Sequence, residues 1–193
     1  MAKRVFFSFH YQDVIDFRAN VVRNHWMTKP DREQAGYFDA SVWESARLQG
    51  EIGLKRLING ALENTSNTCI VVGTLTYSRP WVRYEMLKSF RRGNHLLAVH
   101  ANSVKGKDQM TKPLGPNPLE FVGVTYSEDG RTATLWERDG ANWTKYDRID
   151  GSANFTVQVG SEHSGKGFNL GQFYRIYDWV GNDGYNNFAG WLK

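Results

Sequence analysis

The sequence predicts an α/β fold, a doubly wound, flavodoxin-like parallel sheet carrying a C-terminal extension. Three observations lead there. Short strands, apolar on both faces, alternate with helical periodicity through the first half of the chain. No long linker or internal repeat interrupts them. Beyond Pro113 the pattern changes to alternating segments separated by Asp-Gly, a hairpin signal.

Arg4–Phe9 (Arg-Val-Phe-Phe-Ser-Phe) reads as a central strand. A helix follows over about 13–25, with Val14, Phe17, Val21, Val22 and Trp26 at three- and four-residue spacing. Gly36–Ala40 is a second, shorter strand, followed by a polar loop with Ser41, Trp43 and Glu44. Gly50–Leu62 is helical, with Leu54, Leu57, Ile58, Ala61 and Leu62 on one face, and Asn67–Val72 is the third strand. Ser78 and Pro80 signal a helix start, and Gly93 signals its end. His95–His100 is the fourth strand. This order implies right-handed crossovers into one parallel sheet. In the extension, Phe121–Tyr126, Thr132–Trp136 and Trp143–Tyr146 form a small antiparallel meander. Leu170, Phe173, Tyr177 and Val180 suggest a last helix, and the aromatic tail (Tyr185, Phe188, Trp191, Leu192) is expected to pack on the domain.

A chain of 193 residues fits a single domain, here a core of about 1–112 and an extension of about 113–193. The net charge of +4 is a mild excess with no Lys/Arg block, so nucleic acid is not an expected partner. Cys69 is the lone cysteine, which rules out an internal disulfide and fits a reducing cytoplasm. It reads as a small buried residue. No apolar run approaches the ~20 residues of a membrane span, and no signal-peptide core precedes the first strand, so a cytoplasmic location is expected. The five His are scattered without metal-ligand spacing, so no metal is expected.

In an open parallel sheet ligands bind beyond the carboxyl ends of the strands. Those ends supply His10 and Tyr11, then Asp39 and Ser41, then Thr74–Tyr77. Glu85 lies one turn inside the following helix and shares a face with Trp81, four residues away. A carboxylate beside an aromatic plane suits a sugar bearing a flat base. It can accept hydrogen bonds from two ribose hydroxyls and stabilise an oxocarbenium-like state as a glycosidic bond breaks. Spacing alone favours a surface Glu beside a core Trp near a helix start, where the dipole favours acids.

Trp81-Val82-Arg83-Tyr84-Glu85 resembles the Trp-x-x-x-Glu signature of TIR domains, whose NAD-cleaving members use that Glu catalytically. Val5–His10 resembles the TIR first strand. With Phe38–Ser41, Leu57–Gly60 and Tyr177–Val180, the chain is similar to the TIR-like proteins of Thoeris antiphage defence, the ThsB group, over nearly its whole length.

The resemblance implies an enzyme that cleaves NAD as substrate, needs no cofactor and makes a cyclic ADP-ribose isomer. That messenger would activate a separate Thoeris effector after a phage-derived trigger. The resemblance also implies Glu85 as the catalytic carboxylate, and Ser8, Phe9, His10 and Asp39 at the border of the nucleotide pocket. Trp81 and Tyr84 would stack on substrate or support the site. The loop 40–50 stands where a TIR loop completes the site, often across a subunit contact in a homo-oligomer, but its sequence departs from the usual one. His10 reads equally as a hydrogen-bonded structural residue.

The alternative function is a non-catalytic scaffold acting by self-association. A receiver-like module would need a phosphoacceptor Asp where Val72-Gly73-Thr74 stands. Gly160–Gly167 imitates a phosphate loop, but Gly167 takes the place of the hydroxyl residue that would hold magnesium.

Overall fold

β1 (Lys3–Ser8) buries Val5, Phe6 and Phe7 completely, and β3 (Asn67–Val72) buries all its residues. Strands with no solvent face belong in the middle of a helix-covered parallel sheet. The computed structural model, which describes residues 3–10, 17–28, 32–35 and 40–193, places them there. The first sheet runs β10 (Ile176–Asp178), β4 (His95–His100), β3, β1, β2 (Arg32–Ala35), with every pair parallel. All carboxyl ends therefore emerge at one edge.

One face of this sheet is covered by α1 (Arg18–Met27) and α5 (Gly184–Trp191). Ala19, Val22 and Trp26 meet Phe7, Val71, Val99 and Phe188 there. The aromatic tail packs as expected, with Trp191 stacked on Tyr177 at 4.0 Å between ring centroids. Asn67 ties down the last residue through two hydrogen bonds to the Lys193 backbone. The other face is covered by α3 (Gly50–Leu62) and α4 (Pro80–Arg91), which bring Leu54, Ile58, Leu62, Val82, Met86 and Leu87 inward. α4 has Pro80 in its first turn, where a missing N–H costs nothing. It stops at Gly93, whose φ of 81° is open to glycine and disfavoured elsewhere. Cys69 is buried in the core, its thiol pushed far up by desolvation.

The second sheet, from the extension, is antiparallel in the order β7 (Asn142–Lys145), β6 (Thr132–Asp139), β5 (Val122–Tyr126), β9 (Gly167–Asn169), with β8 (Asn154–Thr156) also on β6. This is the expected meander. Val122, Val124, Ala133 and Leu135 join the same core as α3 and α4. Arg91 stands at the end of α4, beside the extension. Its guanidinium reaches the Ile149 carbonyl and the Asp150 carboxylate of the extension.

Several expectations are corrected. The stretch 170–180 is not a helix. Leu170–Gln172 is one 3-10 turn, and Ile176–Asp178 is the fifth parallel strand, paired to β4. Ala40–Leu48 is a helix, α2, rather than a loop. The strand expected at 36–40 is seen earlier, at Arg32–Ala35, while residues 36–39 lie outside the described residues, as do Tyr11 and Val14. In α1, Val22 and Trp26 are buried, but Phe17 and Val21 face solvent. Ser78 does not cap α4. It closes a 3-10 turn onto Leu75, and Arg79 holds the cap position.

Candidate active site

β1 ends at Ser8, and α4 brings Glu85 directly to it. The Ser8 hydroxyl donates to Glu85 Oε2 at 2.5 Å, across 77 residues of sequence. Ser8 is fully buried and Glu85 is only 5% exposed. No salt bridge to Glu85 is formed among the described residues. Desolvation therefore dominates, and the Glu85 carboxyl is pushed up to about 8, with the Ser8 hydrogen bond pulling the other way by less. A carboxyl in that state is mostly protonated near neutrality. It is held for a partner that compensates its charge when it ionises.

Around the pair, Phe9 and His10 continue β1 past the sheet edge, both half-buried. Burial lowers the His10 pKa, and the charge of Arg79 lowers it further. Arg79 stands immediately before α4. Its Nε is buried with no hydrogen-bond partner among the described residues. The loop after β3 is fixed by Thr76, whose hydroxyl accepts from the Gly73 N–H at 2.8 Å. Gly115 crosses so close to the Gly73 carbonyl that any side chain there would collide with it. Asn102, beyond β4, donates to Thr74 Oγ1 and the Pro113 carbonyl, which locks that crossing.

The sequence expectations fall unevenly. Glu85, Ser8, Phe9 and His10 are gathered at the carboxyl edge. Asp39 lies outside the described residues. Tyr84 points away from Ser8, into the core against α3, with its hydroxyl on Asn59 Oδ1 at 3.1 Å. Trp81 is wedged among Trp43 of α2, Tyr84 and the Arg148 guanidinium, 4.9 Å from its ring. These two aromatics therefore brace α4. Among the described residues, no three His, Cys, Asp or Glu side chains are grouped to hold a metal ion, and no helix is long and apolar enough to cross a membrane.

Residues 6–106 match the family model for the TIR-like domain of the Thoeris protein ThsB. A relative from Bacillus cereus (strain MSX-D12), named "Putative cyclic ADP-D-ribose synthase ThsB1", is 52% identical over 195 residues, covering all of both chains. The chain belongs to the Thoeris ThsB TIR-like family. The family model ends near the first sheet's fourth strand, whereas the ThsB1 relative matches end to end, so the extension is shared with that relative.

Within this ThsB-type fold, sequence reading missed two features. An Arg before Pro at a helix start reads as solvated, so no sequence signal marks Arg79. Its Nε, buried without a hydrogen-bond partner among the described residues, only becomes visible in three dimensions. The Arg148–Glu51 ion pair, at 3.3 Å, ties the extension to α3 beside Trp81. Its members are 97 residues apart, so no local pattern announces it. The phosphate-loop imitation is disposed of. The Glu162 carboxylate lies against Gly160 and that of Glu128 against Gly165, so the loop faces acids where a phosphate would need donors.

Proposed function

We propose that this chain cleaves NAD at the bond between nicotinamide and ribose and closes the ADP-ribose on itself, yielding a cyclic isomer. That product would act as a second messenger for a separate effector in antiphage defence. The observation that carries the reading is Glu85, buried at the end of β1 on Ser8, with its pKa raised by desolvation. The full-length likeness to the ThsB1 relative supports the same reaction.

The NAD nicotinamide ring carries a positive charge. Seating its ribose against Glu85 replaces the missing cation and favours ionisation of the carboxyl. The carboxylate then accepts hydrogen bonds from the ribose hydroxyls and stabilises positive charge on the sugar as the C–N bond lengthens. Nicotinamide leaves with the bonding electron pair as a neutral molecule. A nucleophile of the same ADP-ribose attacks the exposed carbon, and if it is a hydroxyl it gives up its proton. Cyclisation outcompetes hydrolysis only where water is kept out. Arg79, whose charge reaches His10, is the cation suited to the pyrophosphate. Nothing in this scheme requires a metal.

The test is nicotinamide release and product mass from NAD, with wild type and Glu85→Gln, in purified form and in phage-infected cells. Wild-type turnover that disappears in Glu85→Gln supports the assignment. Equal turnover in both sinks the role of Glu85. No turnover under any condition, with defence intact in Glu85→Gln, favours a scaffold acting by self-association.

A further inference from the structure

The second sheet spends only one face on the core. Its other face is a cleft of 460 Å³ opening to solvent, and nothing in the Glu85 chemistry uses it. Pairing register explains its shape. Gly123 of β5 lies opposite Trp136 of β6 and Asn169 of β9, so all three present the same face. Gly123 has no side chain there, and the Trp143 ring, from β7, reaches across β6 to within 3.2 Å of the place its Cβ would occupy. Trp136 leans to the neighbouring position on the same strand, its indole N–H donating to Thr125 Oγ1 at 2.9 Å. The two indoles are thus anchored over positions two residues apart on β5, about 7 Å along a strand. That distance is about twice the contact thickness of an aromatic ring. At the rim stand Asn169 and Gln172, whose side chains are engaged in a capping box, Gln172 Oε1 accepting from the Asn169 N–H at 3.0 Å, so that their amide NH2 groups are the donors turned to a ligand. None of the residues lining the cleft is charged, but Lys145, opposite Trp136 on β7, holds its ammonium 6.0 Å from the Trp136 ring centroid.

We propose that this cleft is a binding site for a neutral planar heteroaromatic ring, such as a nucleobase or a nicotinamide carboxamide, held between Trp136 and Trp143 with its polar edge on the rim amides. The volume falls within the usual range for small-molecule sites, about 300–1,000 Å³. The same chemistry has two sources here, free nicotinamide and an adenine nucleoside. The site is independent of the reaction proposed at Glu85.

The full chain is titrated separately with nicotinamide and with adenosine, following the Trp136 indole N–H signal by NMR. Wild type and Glu85→Gln are expected to show the same saturable shift. Trp143→Ala, at an edge-strand position already 40% exposed, is expected to weaken it at least tenfold. Thr125→Val, which unties the Trp136 indole while keeping the side-chain volume, is expected to weaken it as well. Tighter binding of one ligand identifies the source. Saturation by neither up to about 10 mM overturns the proposal. So does affinity unchanged in both Trp143→Ala and Thr125→Val. A shift lost in Glu85→Gln would move the ligand to the other site and likewise overturn it.

Discussion

The two sheets share one core but treat solvent in opposite ways. The parallel sheet is buried on both faces, as the unbroken burial of β3 shows, so ligands can meet it only at the edge where its strands end. The antiparallel sheet alternates along β6, with buried Ala133 and Leu135 between more exposed neighbours, and leaves a whole face open. Sequestered carboxyl chemistry therefore belongs to the first sheet, and an open aromatic cleft belongs to the second. α4 touches both. It presents Glu85 to Ser8 on one side and Arg83 to Glu137 of β6 on the other, at 3.0 Å.

The largest break in this contrast comes from Glu85→Gln. Removing the carboxylate is expected to lower NAD turnover about 10²–10⁴-fold. The same change is expected to stabilise the fold, because a neutral amide carries none of the cost of desolvating a charge. The sign follows from the raised pKa. Below pH 4.5 the carboxyl is protonated in both folded and unfolded chains and the substitution gains nothing. Between 4.5 and about 8 only the unfolded chain ionises, so wild type loses stability as pH rises, and above about 8 the loss is complete. A gain of about 1–2 kcal/mol at pH 8, read as a Tm increase of about 3–6 °C that shrinks toward pH 4, would mark a site that sacrifices stability for function. No gain at pH 8 would show that the carboxyl is solvated after all.

A second effect separates Ser8 from Glu85. In wild type, kcat/KM for NAD is expected to rise with pH through a midpoint near 8 and to level off above it, as the free enzyme's carboxyl ionises. The Ser8 hydrogen bond pulls that pKa down, so Ser8→Ala should move the rise to higher pH and lower activity near neutrality about tenfold. A profile that keeps its midpoint would detach Ser8 from the titration. Smaller still is Arg79→Met, which keeps the side-chain length and removes the charge. It is expected to raise KM for NAD about 5–20-fold with a lesser change in kcat, the signature of lost ground-state binding. An unchanged KM would remove Arg79 from the pyrophosphate.

The contrast also explains what was legible in the sequence. β1, β3 and β4 announce themselves because strands buried on both faces must be runs of Val, Ile, Phe and Leu. The hairpins show through Asp-Gly. β10 did not, because Leu170, Phe173, Tyr177 and Val180 imitate helical spacing while the strand itself is three residues long and only half-buried. Its partner β4 ends at His100, far upstream, and such distant pairing leaves no local periodicity. α2 was hidden for the opposite reason. Ala46 is its buried apolar side chain, and Leu48 stands 84% exposed, so no apolar stripe marks the helix. At the site, the motif pointed to Glu85, but its bond to Ser8 and the burial of Arg79 Nε depend on strand order. In sequence, Trp81 and Tyr84 read as either stacking on substrate or supporting the site. Their spacing is equally that of residues bracing α4 against α2 and α3, and the structure uses them so.

The finest test concerns α4 as the element common to both sheets. The Arg83–Glu137 pair is partly sheltered, with side chains 12% and 29% exposed. Arg83 also donates to the Tyr77 carbonyl, in the turn that leads into α4. Arg83→Ala should therefore cost about 1–2 kcal/mol, more than an exposed ion pair and less than a fully buried one. Because the pair lies on the side of α4 away from Ser8, the pH midpoint of NAD turnover should stay where it is in wild type. A displaced midpoint would mean that the two sheets communicate through α4, and that the extension sets the ionisation of Glu85 rather than merely supporting the helix that carries it.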